Sequence, residues 1–160
     1  MKTITLWQPW ASLIWVAGHP DPEVSKLGKH IETRSWATKY RGPLAIHAAS
    51  KTPGCGIAAC FQEPFATILN NAGFFKGKTV SMPCGVVVAT CNLVDCVPIT
   101  PEFVATLSEQ ERAFGDYTPG RYAWILEDIR QMDNPVPAVG MQRLWNWDET
   151  QADGIKRIYV

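Results

Sequence analysis

Three charged side chains, Lys29, Glu32 and Arg34, lie within six residues directly after Gly28. A lysine held in a partly dry cleft can act as a base, or it can hold a phosphate as a point charge. Glu32 can accept hydrogen bonds from the amine or amide edge of a ligand, or it can form an ordering salt bridge with either neighbour. Arg34 can bind phosphate through two parallel hydrogen bonds or serve as the partner of Glu32.

The pattern around these charges predicts a strand over residues 30–36. In that strand residues 30, 32, 34 and 36 share one face, and residues 29, 31 and 33 face the other way. Upstream, residues 3–6 predict a strand, and Pro9 begins a helix that ends at Gly18. Residues 57–72 predict a helical run that Pro64 breaks. Further strands are predicted at 44–48, 85–96 and 121–129, with one or two short extended pieces between 136 and 147.

These five to seven short strands do not alternate regularly with helices, which argues against a doubly wound parallel sheet. They predict an α+β fold, a small and mainly antiparallel β-barrel with peripheral helices. At 160 residues the chain has the length of a single domain, over 1–160. Seven tryptophans and six phenylalanines are too much apolar surface for a disordered chain.

Basic side chains are concentrated in one segment, although the formal net charge of the whole chain is zero. Residues 26–51 contain six lysines and arginines, and Glu32 is their one acid. This segment predicts a basic cleft for an anionic ligand, and the alternative is a solvated face without one. A neutral protein gives little long-range steering, so we expect few phosphate contacts and a small salt dependence.

The tryptophans divide into two predicted groups. Trp10, Trp15 and Trp124 lie at apolar-face positions and are expected in the core. The other four are candidates for a platform on which a base stacks, with core packing as the alternative. These are Trp7, Trp36, Trp145 and Trp147.

Cofactor and membrane signals are weak. The cysteine count is odd, no Cys-x-x-Cys pair occurs, and Cys91 and Cys96 should face opposite ways on a strand. We therefore expect reduced thiols, no metal and no cofactor. No Gly-x-Ser-x-Gly, Walker A or His-Glu-x-x-His motif is present. Gln8 and Pro9 interrupt the apolar N-terminal run, so we expect neither a signal peptide nor a membrane span, and a cytoplasmic protein.

The order Lys-x-x-Glu-x-Arg, with Gln8-Pro9-Trp10-Ala11 before it and Ile46-His47 after it, resembles the ASCH superfamily. These motifs span residues 4–50, and weaker similarity in strand pattern continues to about 147. Two further segments are similar to the EOLA-type members, namely 120–126 and 145–147.

The resemblance implies a PUA-like barrel that binds RNA or a nucleotide, single-stranded or modified, in a cleft. Lys29, Arg34 and Arg41 would meet phosphate, Glu32 would read a polar edge, and a tryptophan would stack the base. No membrane and no obligatory protein partner are implied. The implied binding residues are Trp7, Gln8, Pro9, Trp10, Lys29, Glu32, Arg34, Trp36, Arg41 and His47.

Two alternatives remain open. The first is a hydrolase with Lys29 and Glu32 as catalytic residues, either a ribonuclease or an amidohydrolase of the N4-acetylcytidine type. Similar amidohydrolases use a lysine, a threonine three residues later and a distant glutamate. Glu32 stands at that threonine position here, Thr33 should face the other way, and the distant acid is Glu109, Glu111 or Glu127. The second alternative is a protein-interaction module with exposed tryptophans.

Overall fold

The computed structural model describes residues 1–148, residue 150 and the backbone of residues 158–159. Its strands are β1 (Lys2–Leu6), β2 (Ile31–Arg34), β3 (Gly42–Ala48), β4 (Phe75–Lys76), β5 (Thr79–Val80), β6 (Pro83–Cys84), β7 (Val86–Pro98), β8 (Tyr122–Pro137), β9 (Leu144–Asn146) and β10 (Ile158–Tyr159). Its helices are α1 (Trp10–Ala17), α2 (Pro22–Ser25), α3 (Gly54–Ala59), α4 (Phe65–Asn71), α5 (Pro101–Ala105) and α6 (Glu109–Ala113).

The main sheet has six strands in the order β2-β8-β7-β3-β1-β9. All neighbouring pairs are antiparallel except β1 and β3, which are parallel. The two long central strands, β7 and β8, are paired with three shifts of register, which increase the local twist and bend. The sheet curls into a half-barrel with β2 and β9 at its edges. The predicted α+β class is confirmed, as is the mainly antiparallel pairing.

The main core cluster lies between the sheet and α1. The predicted apolar stripe of this helix is confirmed, because Leu13, Ile14 and Ala17 are buried. Ile14 packs against the sheet together with Trp124, whereas Leu13 joins a second cluster formed with α4 and residues 80–82. The helix therefore connects two apolar clusters and holds the segment that follows it against the sheet.

Element boundaries differ from the prediction where tertiary contacts decide them. The strand predicted over 30–36 is the shorter β2, and the strand predicted over 121–129 extends to Pro137. Pro64 separates α3 from α4, as predicted. The extended pieces predicted between 136 and 147 are the end of β8 and the short strand β9.

Candidate functional site

A cleft of about 1030 Å³ opens between β1 and β2. It lies where the curled sheet brings these two strands close, although they are not neighbours in the strand order. Arg34 links them, because its Nη2 donates a hydrogen bond to the main-chain oxygen of Thr5 at 3.0 Å. That oxygen is available because the pairing of β9 with β1 ends at Ile4.

The walls of the cleft come from five segments. Strands β1 and β2, each with the residues that follow it, form two walls, and the turn after α6, Arg121 just before β8, and the loop between β8 and β9 complete the cleft. Its lining consists of Ile4, Thr5, Leu6, Trp7, Trp10, Glu32, Thr33, Arg34, Trp36, Ala113, Phe114, Gly115, Asp116, Arg121, Gly140, Met141, Gln142 and Arg143.

Lys29 is fully buried and does not line the cleft. Its ammonium donates to the main-chain oxygens of Ile31 and of Phe114, the latter at 3.0 Å. The same Nζ lies 3.4 Å from Oε2 of Glu32. Three acceptors therefore surround the three hydrogens of the ammonium. The ammonium contacts the Glu32 carboxylate from the buried side, away from the cleft.

Glu32 lies between Lys29 and Arg34, and its side chain is 12% exposed. Nε of Arg34 is 3.2 Å from Oε1 of Glu32, close enough for an ion pair but not aligned for a hydrogen bond. The predicted shared face of Glu32 and Arg34 is confirmed by this contact. The carboxylate lines the cleft, so its free lone pairs are offered to a ligand.

Glu111 is the one of the three predicted distant acids that lies beside this cluster. Its carboxylate accepts hydrogen bonds from the main-chain N–H groups of His30 and Ile31, both at 3.1 Å. Burial raises the pKa of the neighbouring Tyr117, and the charges of Glu111 and Glu32 add to this shift. Glu109 and Glu127 are exposed and do not line the cleft.

Two arginines of the cleft were not predicted, Arg121 and Arg143. Nε of Arg121 lies 3.4 Å from Oδ2 of Asp116, another lining residue. Hydrogen bonds from Thr118 and the charge of Arg121 lower the pKa of Asp116. Arg143 places its guanidinium 5.5 Å from the ring centre of Trp36, within cation–π range. Its backbone is in the left-handed region, with φ of 57°.

The predicted basic segment does not form the cleft as a block. Among its cations only Arg34 is a lining residue. Arg41 does not line the cleft, because its Nη2 pairs with Asp95 on β7 at 2.9 Å. Lys26 pairs with Glu23 on the surface. The cleft is instead lined by three arginines and two acids, drawn from three parts of the chain.

The tryptophans divide differently from the prediction. Trp7 is 55% exposed, and Trp7, Trp10 and Trp36 all line the cleft. Trp124 is in the core, as predicted. For Trp145 and Trp147 the core alternative holds, because both are buried with Ala45 and Val87 and neither lines the cleft. The indole N–H of Trp145 donates to the hydroxyl of Thr5, which does line it.

Three further predicted binding residues, Gln8, Pro9 and His47, lie behind the cleft rather than on its surface. Gln8 is buried and bonded at both ends of its amide, donating to the oxygen of Pro83 and accepting from the N–H of Ser12. His47 is also buried, with Nε2 3.1 Å from the oxygen of Ala138. These contacts give Gln8 and His47 supporting positions.

We expect the stability of the fold to decrease in mild acid because of His47. Burial lowers the pKa of His47 in the folded state below its ordinary value. The unfolded chain then binds more protons below pH of about 6.5, so the free energy of unfolding falls as the pH falls. Urea unfolding at pH 7.5 and 5.5 should show a loss of up to about 1 kcal/mol that His47→Gln reduces. An equal loss in both proteins would contradict this assignment.

Metal-ligand clusters of three or more His, Cys, Asp or Glu side chains are absent from residues 1–148 and 150, the part searched. Over the same described part, no helix is long and apolar enough to cross a membrane.

Comparison with known protein families identifies one family for this chain. The model of the ASCH domain matches residues 4–136. Activating signal cointegrator 1 of Mus musculus and that of Homo sapiens are each 25% identical over 158 residues, which are 96% of this chain and 23% of the relative. The chain thus spans less than a quarter of the length of these curated relatives. ASCH from Zymomonas mobilis is 17% identical with a TM-score of 0.49, covering 94% of this chain and 91% of that chain.

Proposed function

Because this chain belongs to the ASCH domain family, which is generally linked to RNA binding, we propose that it binds single-stranded RNA or a nucleotide in the cleft between β1 and β2. The observation that carries the proposal is the composition of this cleft. It combines aromatic side chains, arginines and one firmly held carboxylate in about 1030 Å³.

The aromatic side chains supply the stacking surface. Trp7 is 55% exposed and lines the cleft, so its ring is accessible to a ligand there. Trp36 is fixed by an edge-to-face contact with the buried Trp124, with ring centres 4.8 Å apart. An unpaired base can stack on such side chains, whereas a base inside a duplex is already stacked. The cleft therefore suits single strands.

The arginines supply phosphate contacts. Arg34 and Arg121 share their charge with Glu32 and Asp116. Arg143 has no ion pair with any acid in the described part of the chain. Arg143 without an acidic partner, and Arg34 and Arg121 each with one, fit a ligand with few phosphates. This agrees with the small salt dependence of binding that is expected from a chain of zero net charge.

Hydrolysis by Lys29 and Glu32 stays a prediction. The side chain of Lys29 is 1% exposed, and its ammonium is surrounded by three acceptors. This geometry supports a role in positioning Glu32 rather than direct contact with a substrate. Incubation with acetylated cytidine and with short RNA, followed by chromatography, tests the alternative. A product that is absent with Glu32→Gln would establish a hydrolase.

The proposal is tested by fluorescence anisotropy of a labelled single-stranded RNA. Arg143→Ala is expected to weaken binding and to reduce the slope of log affinity against log salt by about 0.7, the value for one phosphate contact. Lys78→Ala is the matched control, because Lys78 is an exposed cation outside the cleft. Equal losses in the two variants would indicate a diffuse charge effect, and absence of binding by the unmodified protein would refute the proposal.

A further inference from the structure

The outer edge of β2 carries two main-chain groups without a partner among the contacts described above, the N–H and the C=O of Thr33. Strand β2 pairs with β8 on one side only and ends the sheet. The N–H of Ile31 donates to Glu111 and its C=O accepts from Lys29, so both groups point away from β8. Main-chain direction repeats every second residue along a strand. The N–H and C=O of Thr33 therefore point to the same free edge.

These two groups of Thr33 form no hydrogen bond with any residue that the structure describes. Thr33 is only 8% exposed, and it lines the cleft together with Glu32 and Arg34. The side chains of Glu32 and Thr33 point to opposite faces of β2. Both residues line the cleft, so the cleft runs along the edge of this strand. The hydroxyl of Thr33 is already used, since it accepts from the N–H of Asp116 at 3.2 Å. Buried main-chain groups require partners, which a ligand or water can supply here.

The free edge is too short for a peptide strand. Main-chain addition to a sheet needs several outward-pointing residues in succession. Ile31 is already bonded to Glu111 and Lys29, and β2 ends at Arg34. Thr33 thus offers a single donor and a single acceptor, side by side. A planar group with one acceptor and one donor on adjacent atoms, such as the edge of a nucleobase, matches this pair.

Glu32 adds a pair of acceptors to the same wall, next to the N–H of Thr33. Its carboxylate oxygens face Lys29 and Arg34 with one contact each. Each carboxylate oxygen accepts two hydrogen bonds, so both keep capacity for a ligand. Beside the N–H of Thr33, which is a donor, the wall thus presents the two carboxylate oxygens of Glu32 as neighbouring acceptors. The complementary edge has one acceptor and two donors.

We propose that Thr33 and Glu32 form a subsite for a guanine base, an inference that rests on the proposed function. Guanine presents O6 as an acceptor and N1–H and the N2 amino group as donors. Uracil presents one donor between two acceptors, cytosine one amino donor with two acceptors, and adenine one donor and one acceptor. Only guanine supplies two donor positions beside one acceptor.

Titration of the full chain with GMP, AMP, CMP, UMP and IMP, followed by tryptophan fluorescence, tests the subsite. GMP is expected to bind about tenfold more tightly than AMP, CMP or UMP. IMP keeps O6 and N1–H but lacks the N2 amino group, and its affinity should be about tenfold below that of GMP. Glu32→Gln should bring the affinities for GMP and IMP closer together.

A pair of variants at Thr33 separates the main chain from the side chain. Thr33→Pro removes the N–H, which an edge strand tolerates on its free side, and should abolish the preference for GMP. Thr33→Val keeps the N–H but loses the hydroxyl, and should retain the preference. If the proline variant fails to fold, the ratio of GMP to IMP in the unmodified protein decides. Equal affinities for all five nucleotides would overturn the guanine subsite and leave nucleotide binding intact, whereas binding of none would refute both.

Discussion

Replacement of Lys29 by methionine is expected to lower the free energy of unfolding by about 3–5 kcal/mol. Methionine has a similar length and fills the site, so the loss comes from electrostatics and hydrogen bonds rather than from a cavity. The change removes the donor to the oxygens of Ile31 and Phe114 and the cation 3.4 Å from Glu32. Buried acceptors without a donor destabilise the folded state, and so does a largely buried carboxylate that keeps only Arg34 of its two cations.

Urea unfolding measures this effect, with Lys26→Met as the control. Lys26 also pairs with a glutamate three residues away in the chain, but its side chain is 60% exposed. Its replacement should change the free energy by less than about 0.5 kcal/mol. The double variant Lys29→Met, Glu32→Gln should recover part of the loss, because the second change removes the carboxylate that has lost one of its two cations. A loss below about 1 kcal/mol for Lys29→Met would contradict the buried role of this ammonium.

Replacement of Trp7 by alanine is expected to weaken binding of single-stranded RNA by about 1–3 kcal/mol, the contribution of one stacked base. The reason is that Trp7 lines the cleft and is 55% exposed, and it is not part of a buried core cluster. The free energy of unfolding should therefore change little. Binding is measured by fluorescence anisotropy of labelled RNA and stability by urea unfolding.

Phe61→Ala is the matched control for Trp7→Ala. Phe61 is 54% exposed, contacts Phe75 with ring centres 5.5 Å apart, and does not line the cleft. Its replacement should leave RNA affinity unchanged. Equal losses of affinity in the two variants would show that exposed aromatic side chains bind RNA without regard to the cleft, and would contradict the assigned site.

Local sequence patterns could predict the parts of the site that depend on neighbours in the chain. The alternation of a strand places Glu32 and Arg34 on one face, and their ion pair confirms it. The spacing of apolar residues after Pro9 likewise predicts the buried stripe of α1, with Leu13 and Ile14 inside. In both cases the relevant contacts are made within one element or by one face of it.

Contacts between distant segments decided the rest. Lys29 is buried because the turn after α6 places the oxygen of Phe114 beside it, 85 residues later in the chain. Arg41 is drawn from the predicted basic cleft to Asp95, 54 residues away. Arg143 enters the cleft from a loop that no local pattern marks as functional. Which charges are neutralised by partners, and which remain for a ligand, is set by tertiary pairing that one sequence does not display.

The most direct test of RNA binding in this cleft uses the indole N–H signals of the seven tryptophans in NMR spectra, assigned by single replacements. Addition of a short single-stranded RNA should shift the signals of Trp7, Trp10 and Trp36, which line the cleft. The signals of Trp15 and Trp147, which do not line the cleft, should stay in place. Unchanged signals of the three cleft residues, or shifts confined to Trp15 and Trp147, would contradict the proposed site.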